Sequence, residues 1–305
     1  MIKPTIEQDP STDGSKNTTE VIKQRTLKWH SLERYSLLRR VLISPFVGIR
    51  RLIFITGIFV WLCIAGLALY AYQILEIVPE KENLSFNEIQ SLAQSIHLTN
   101  SINSKQNNQV HWTDLKDVHR DLLYSIVLSE DANFFSHNGI DYDALMAALV
   151  ENIKSKEWRF GASTISQQTA KNLYLNSNKT LSRKLQELLI TSRLEDVLSK
   201  NQILELYLNL IEFGPELYGI GNACLYYFNK APAEINAAEG AYLALLMPSP
   251  RKYHYTLYQN GNWSPALMKK HQRILRDMRF KELISIDQYK HYQEWRYHKS
   301  EYFSD

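Results

Sequence analysis

Two carboxylates stand side by side in SEDANFFSHNG, residues 129–139: Glu130 and Asp131, with aromatic residues next and His137 beyond them. Such a set can be a proton-transfer centre, or only a solvated helix end. GASTISQQTAKN, residues 161–172, opens with a glycine and then places Thr164, Gln167, Gln168 and Lys171 at offsets of three, four and seven. On a helix those positions share one face. A hydroxyl, two amides and an ammonium make a poor core face. LSRKLQELL, residues 181–189, sets Arg183 and Glu187 one turn apart with Lys184 beside them. Taken alone, that spacing is also that of an ordinary surface ion pair. Together the three segments offer a group of acids and a group of bases.

The chemistry open to such a set can be narrowed. Hydrolysis of a sugar–sugar bond expels a poor alkoxide, so one carboxyl must be protonated as general acid. Expulsion of a pyrophosphate differs, because the leaving group is already a stable anion and needs cationic clamps more than a proton. A sugar hydroxyl attacking in that case needs one carboxylate as general base. One base with Lys171, Arg183 and Lys184 fits transfer from a sugar diphosphate better than hydrolysis.

These residues need a framework, and the 305-residue chain is long enough for one or two domains. The net charge of +3 is too mild to argue for nucleic acid. Its excess is local: residues 1–51 carry ten Lys/Arg against five Asp/Glu, leaving 25 against 27 elsewhere. Residues 52–72, LIFITGIFVWLCIAGLALYAY, hold no charge, and as a helix they would span about 30 Å, the thickness of a bilayer core. Residues 52–75 are therefore expected as a transmembrane helix. Arg39, Arg40, Arg50 and Arg51 precede it and Glu76, Glu80 and Glu82 follow, which keeps residues 1–51 cytoplasmic and everything later outside. Cys63 and Cys224 offer no disulfide within the outer part.

Residues 1–20 are polar and turn-rich and are expected to be disordered. The polar run 98–109, LTNSINSKQNNQ, reads as a linker or loop within a membrane-proximal segment, 76–109. From Trp112 the apolar positions Leu115, Val118, Leu122, Leu123, Ile126 and Val127 recur at helix spacing. Ser199 with Gln202 forms a capping-box pattern, and Ser264 precedes Pro265 at a first-turn position. No run alternates long enough for a sheet. Residues 110–305 are expected to be one mainly α domain.

In this order and spacing the segments resemble the motifs of the peptidoglycan glycosyltransferases, glycosyltransferase family 51. Glu130, Asp131, Phe134, His137 and Gly139 match its first motif; Gly161, Ser163, Thr164, Ile165, Gln167, Gln168, Lys171 and Asn172 match the second. Arg183, Lys184 and Glu187 match the third, and residues 200–220 and 238–250 are similar to the fourth and fifth. Ala162 departs from the pattern where a second glycine is common, and Thr169 is closer to the monofunctional branch. About fifty residues follow the fifth motif, too few for a transpeptidase domain.

The resemblance implies a lysozyme-like, all-α glycosyltransferase domain behind one N-terminal transmembrane helix. It implies polymerisation of lipid II onto a growing glycan chain, with inversion at the donor carbon and release of the lipid diphosphate. Glu130 would be the general base. Glu187 would lie in the donor region, positioning the pyrophosphate or a metal. Lys171, Arg183 and Lys184 would hold the pyrophosphate, Thr164 and Gln168 would line the groove, and Ser163, Gln167, Asn172 and Phe134 would complete the substrate site. Asp131 and His137 would order it. No cofactor is required on this reading, with Mg²⁺ or Mn²⁺ left open as an aid. The implied location is a bacterial inner membrane with the catalytic domain in the periplasm, where the lipid bilayer and proteins of cell-wall synthesis or division are the candidate partners. A further expectation is that SKEWRFG, residues 155–161, forms a mobile lip through Trp158 and Phe160. Two rival readings remain: a lytic transglycosylase or muramidase, and an inactive cell-wall scaffold. Glu205 and Asn209, one turn apart, are expected to fix a helix against its neighbours.

Overall fold

The computed structural model describes residues 15–80, 84–103, 112–156, 161–176, 178 and 180–303. Residues 1–14, the part of the expected linker from 104 to 109, Glu82, and the lip residues Trp158 and Phe160 lie outside the described residues. The chain divides into one unit ending at Ala71 and another from Tyr72 to Asp305. Helix α1 runs from Ser15 to Glu76. Residues 15–20, expected to be disordered, are thus its first turns. Its stretch Phe46–Glu76 is the one helix among the described residues long and apolar enough to cross a membrane. Its 31 residues correspond to about 46 Å of helix, and its apolar side chains other than Ile74 are exposed.

The second unit is built almost wholly from helices: α2 (Phe86–Asn103), α3 (Arg120–Glu130), α4 (Tyr142–Ser155), α5 (Ile165–Tyr174), α6 (Leu181–Val197) and α7 (Lys200–Leu210). A hairpin of β1 (Glu212–Gly214) and β2 (Leu217–Tyr218) follows. Then come α8 (Ile220–Phe228), α9 (Ala237–Leu246), α10 (Pro250–Tyr253), α11 (Pro265–Phe280) and α12 (Ile286–Gln293). The mainly α expectation holds, with the hairpin as an exception too short to show alternation. Residues 98–103, expected as linker, instead continue α2. That helix packs on α7 through buried Ile89, Ala93 and His97, and its Gln90 Nε2 donates to Glu205 Oε1 at 3.1 Å.

Helix α9 is the centre of the unit, with all ten of its residues buried. It packs on α3, α10 and α11. Gly240 permits the α3 contact, since a Cβ there would lie 2.9 Å from Ser125 Oγ and 3.0 Å from the Leu122 Cα. Helices α5, α6 and α7 pack on one another. Their starts are set by side chains that satisfy the free N–H groups of a first turn. Thr164 with Gln167 caps α5, Ser199 with Gln202 caps α7, and Ser264 with Pro265 starts α11. The C-terminal segment closes on this core, where Tyr297 stacks on Tyr242 and donates its hydroxyl to the Tyr227 carbonyl at 2.7 Å.

Candidate active site

Helix α3 ends at Glu130, so its carboxylate emerges at a helix terminus while Asp131, already non-helical, turns inward. Asp131 is buried. It accepts from the Ile165 backbone N–H at 3.0 Å and lies 3.0 Å from His137 Nε2. Phe134 is fully buried, edge-on to the His137 ring, with the Lys200 ammonium 4.6 Å from its ring centre. Lys200 also pairs with Glu195 at 2.7 Å, and Glu195 accepts from the Ser166 hydroxyl. The first motif is in this way clamped to the start of α5.

Gly139 completes the clamp. Its φ of +84° favours glycine, and a Cβ there would meet Thr191 Cγ2 at 2.7 Å. Its carbonyl accepts from the Thr164 hydroxyl at 2.6 Å. The same hydroxyl accepts from the Gln167 N–H, while the Gln167 side chain accepts from the Thr164 N–H at 3.1 Å. Thr164 and Gln167, expected in the substrate groove, are therefore buried in the helix cap. A first-turn hydroxyl and amide were needed by the backbone before any substrate could use them.

Glu130 differs from Asp131 in being partly accessible. Gln168 Nε2 is its hydrogen-bonding neighbour at 3.4 Å. Burial pushes the Glu130 carboxyl above the usual carboxylate range, while the charge of Lys270 and the Gln168 hydrogen bond act against that rise. Lys270 lies on α11. Its ammonium is in turn pushed down, first by burial, with Glu130 opposing.

A second carboxylate has the opposite surroundings. Glu187, nearly two turns into α6, is only 3 % exposed. Arg183 Nη1 donates to one of its oxygens at 2.8 Å and Lys184 Nζ to the other. Lys184 also reaches Ser163 Oγ at 3.4 Å. Lys171 is held below the ordinary lysine range by burial, with Glu187 opposing and Arg183 and Lys184 adding to the fall.

Lys171 and Arg183, with Gln168 and Asn172, line an open groove of about 610 Å³. Ile96 and Asn100 of α2, Glu212 and Tyr218 of the hairpin, and Pro248 and Pro250 complete its wall. Arg251 Nε lies 3.2 Å from Glu212 Oε1 at the hairpin. Of the expected site residues, Gln168, Lys171, Asn172 and Arg183 line the groove; Glu130 adjoins it through Gln168, and Glu187, Lys184 and Ser163 through the ion pairs that reach Arg183, while Asp131, Phe134, Thr164 and Gln167 are buried.

Sequence reasoning missed Lys270, Glu212, Tyr218 and Arg251. Lys270 had a readable signal: it adjoins the buried positions Leu267, His271, Ile274 and Leu275 of α11, where a lysine needs a reason. Helix α7 behaves as expected. Asn209 is fully buried, accepts from the Thr113 N–H, and donates to the Thr113 and Glu205 carbonyls. Glu205 accepts from the Leu115 N–H at 3.0 Å.

Asp131, His137 and Asp141 bring three ligand-type atoms within 4.8 Å. Mg²⁺ asks for about six oxygen ligands in an octahedron, and Mn²⁺ suits the same oxygen-rich sites. Here Asp131 is taken by Ile165 and His137, and Asp141 by the Ala144 N–H and the Asn133 amide, each at 2.9 Å. Both oxygens of Glu187 face cations. These donors do not fit either metal.

Residues 94–279 match the family model described as Transglycosylase. The chain is 42% identical over 167 residues to a biosynthetic peptidoglycan transglycosylase of Nitrosomonas eutropha, spanning 55% of this chain and 66% of that protein. It is 41% identical over 172 residues to a protein of the same description from Chromobacterium violaceum, spanning 56% and 73%. A penicillin-binding protein 1A of Neisseria gonorrhoeae is 34% identical over 239 residues, 76% of this chain and 29% of its own length.

Proposed function

As this chain belongs to the transglycosylase family, we propose that it is the peptidoglycan glycosyltransferase its groove suits, joining lipid II units into glycan strands. The observation that carries this reading is the unequal state of the two glutamates. Glu130 is partly accessible, faces one cation, and keeps a carboxylate able to take a proton. Glu187 is buried between two cations.

In the proposed reaction Glu130 removes the proton from the acceptor sugar's 4-hydroxyl as that oxygen attacks the donor C1 from the face opposite the diphosphate. The C1–O bond to the diphosphate breaks with inversion, and the lipid diphosphate leaves as an anion. Lys171 and Arg183 offer it charge-assisted hydrogen bonds in the groove, while Glu187 fixes Arg183 and Lys184 in place. Gln168 orients the Glu130 carboxylate. Asp131, His137 and Thr164 set the register between α3 and α5. A lytic or hydrolytic enzyme would use one protonated carboxyl beside the leaving oxygen, a part Glu130 with its raised carboxyl could also fill, but that reading gives the cations Lys171 and Arg183 of the groove no task.

The substrate's lipid tail suits a membrane-held enzyme. Residues 52–75, within the apolar stretch Phe46–Glu76, would be the anchor, with Arg50 and Arg51 at its cytoplasmic end and the catalytic domain, residues 110–305, on the periplasmic side. Helix α4 exposes Tyr142, Leu145, Met146, Leu149, Val150 and Ile153, a face that an adjoining bilayer would cover. The test is purified chain in detergent with labelled lipid II, beside Glu130→Gln, products resolved on a gel. Polymer from the parent and none from the variant is expected. Shortened glycan from finished peptidoglycan, or no product from either, would instead favour the lytic or scaffold reading.

A further inference from the structure

Helix α11 carries a second feature on the side away from the core. Lys269, Arg273 and Arg276 recur at intervals of four and three, one stripe of a helix, and all three are exposed. They form one wall of a separate cavity of about 360 Å³, with Tyr289, Gln293 and Glu294 of the α12 region opposite. Gln272 Nε2 lies 3.5 Å from the Gln293 carbonyl and closes one side. Lys269 and Arg273 make no ion pair among the described residues. Arg276 reaches only its exposed neighbour Asp277, at 3.5 Å. Three cations in a concave site with one weak local partner are a binding surface in want of an anion.

We propose that this groove binds the acidic peptide carried by the substrate sugars, a proposal that rests on the polymerase reading above. Position favours that occupant. Lys270, the next residue on α11 after Lys269, interacts electrostatically with both Glu130 and Arg273, so the stripe has Lys269 about 1.5 Å and Arg273 about 4.5 Å of helix rise from the cation that faces the base. Composition favours it too. A bare phosphate would use the cations and be repelled by Glu294. A peptide with several carboxylates and one amino group places its carboxylates on Lys269, Arg273 and Arg276 and its ammonium on Glu294. Its amide groups match Gln272 and Gln293. Helix α12 lies beyond residue 279, where the family match ends, so half of this groove belongs to the chain's own C-terminal segment.

The experiment uses the full chain in detergent and two lipid II preparations, one with free peptide carboxylates and amine, the other amidated and acetylated. The double variant Lys269→Gln, Arg276→Gln should raise KM for the free form by roughly tenfold, one charge-assisted hydrogen bond's worth, with kcat held. On the blocked form the variant and parent should coincide. Equal KM values on the free form, or equal losses on both forms, overturn the proposal. A second arm titrates the free acidic peptide against parent and variant without turnover, with inorganic phosphate as competitor at constant ionic strength. The same tenfold weakening supports the groove. Peptide binding to neither protein, or displacement by phosphate at matched concentration, overturns it. If the parent binds peptide and the variant does not, yet neither makes polymer, the groove stands and the polymerase reading falls.

Discussion

Replacing Thr164 with valine tests how far the site depends on one hydroxyl. The side chain keeps its shape but loses its donor to the Gly139 carbonyl at 2.6 Å and its acceptor for the Gln167 N–H at 3.2 Å. Loss of a helix N-cap costs about 1 kcal/mol. Leaving the buried Gly139 carbonyl without a partner costs about 1–3 kcal/mol more. The total of about 2–4 kcal/mol corresponds to a fall in Tm of roughly 5–15 °C for a unit of this size. Function should suffer as well, because the adjacent Ile165 N–H holds Asp131, and Asp131 fixes where α3 delivers Glu130. A misplacement approaching 1 Å can cost about a hundredfold in rate, so turnover below the new Tm should drop at least tenfold. Thr164→Ser retains both hydrogen bonds and is the control. Thermal melts and lipid II turnover on the two variants decide the matter: valine and serine behaving alike in both would refute the clamp.

Glu130→Gln should lower polymerisation by about 10²–10⁴-fold, the usual worth of a general base, while circular dichroism and Tm stay close to the parent. Lys270→Met removes the charge that opposes the burial-driven rise of the Glu130 carboxyl; that carboxyl rises further, the base is protonated at higher pH, and the acid limb of the kcat/KM profile should move upward in pH. Lys270→Arg should restore it, and a limb that stays in place in Lys270→Met would remove Lys270 from the site. Asn209→Ala deletes three hydrogen bonds of 2.8–2.9 Å at a fully buried position and leaves Thr113 unpartnered, so urea denaturation should show a loss of about 2–4 kcal/mol.

Features carried by local spacing were legible in the sequence. Ser199 with Gln202 and Ser264 with Pro265 start helices as their positions demand, because capping is a four-residue event. The ion pairs of Glu187 lie within one turn and could be read the same way. Features that need the chain to return on itself were hidden. Lys270 meets Glu130 from 140 residues away, and Arg251 of α10 meets Glu212 of β1 from 39 residues away. The polar end of α2 has weak helix propensity, and it continues a helix whose earlier turns are held by buried Ile89, Ala93 and His97. Thr164 and Gln167 carry a part that face spacing did not show. Their spacing placed them on one face with Gln168 and Lys171, but the first two fall in the opening turn, where the backbone claims them.

The two glutamates show why, in the proposed reaction, only one of two neighbouring carboxylates would serve for proton transfer. A general base must pass easily between charged and neutral forms near the working pH. Glu187 is 3 % exposed and gives one oxygen to Arg183 and the other to Lys184, and breaking buried pairs is costly. Both its oxygens are therefore already engaged. Glu130 is released from that constraint: burial favours its neutral form, Lys270 and Gln168 favour its charged form, and the balance leaves it able to accept a proton. In the proposed reaction Glu187 does not become the base by losing its partners, because it stays on α6 beside the cations, whereas Glu130 stands beside Gln168. Glu130→Gln combined with Arg183→Met and Lys184→Met should therefore make no polymer from lipid II. Recovery of polymer in that triple variant would show that the two cations, and not position, had kept Glu187 from acting as the base.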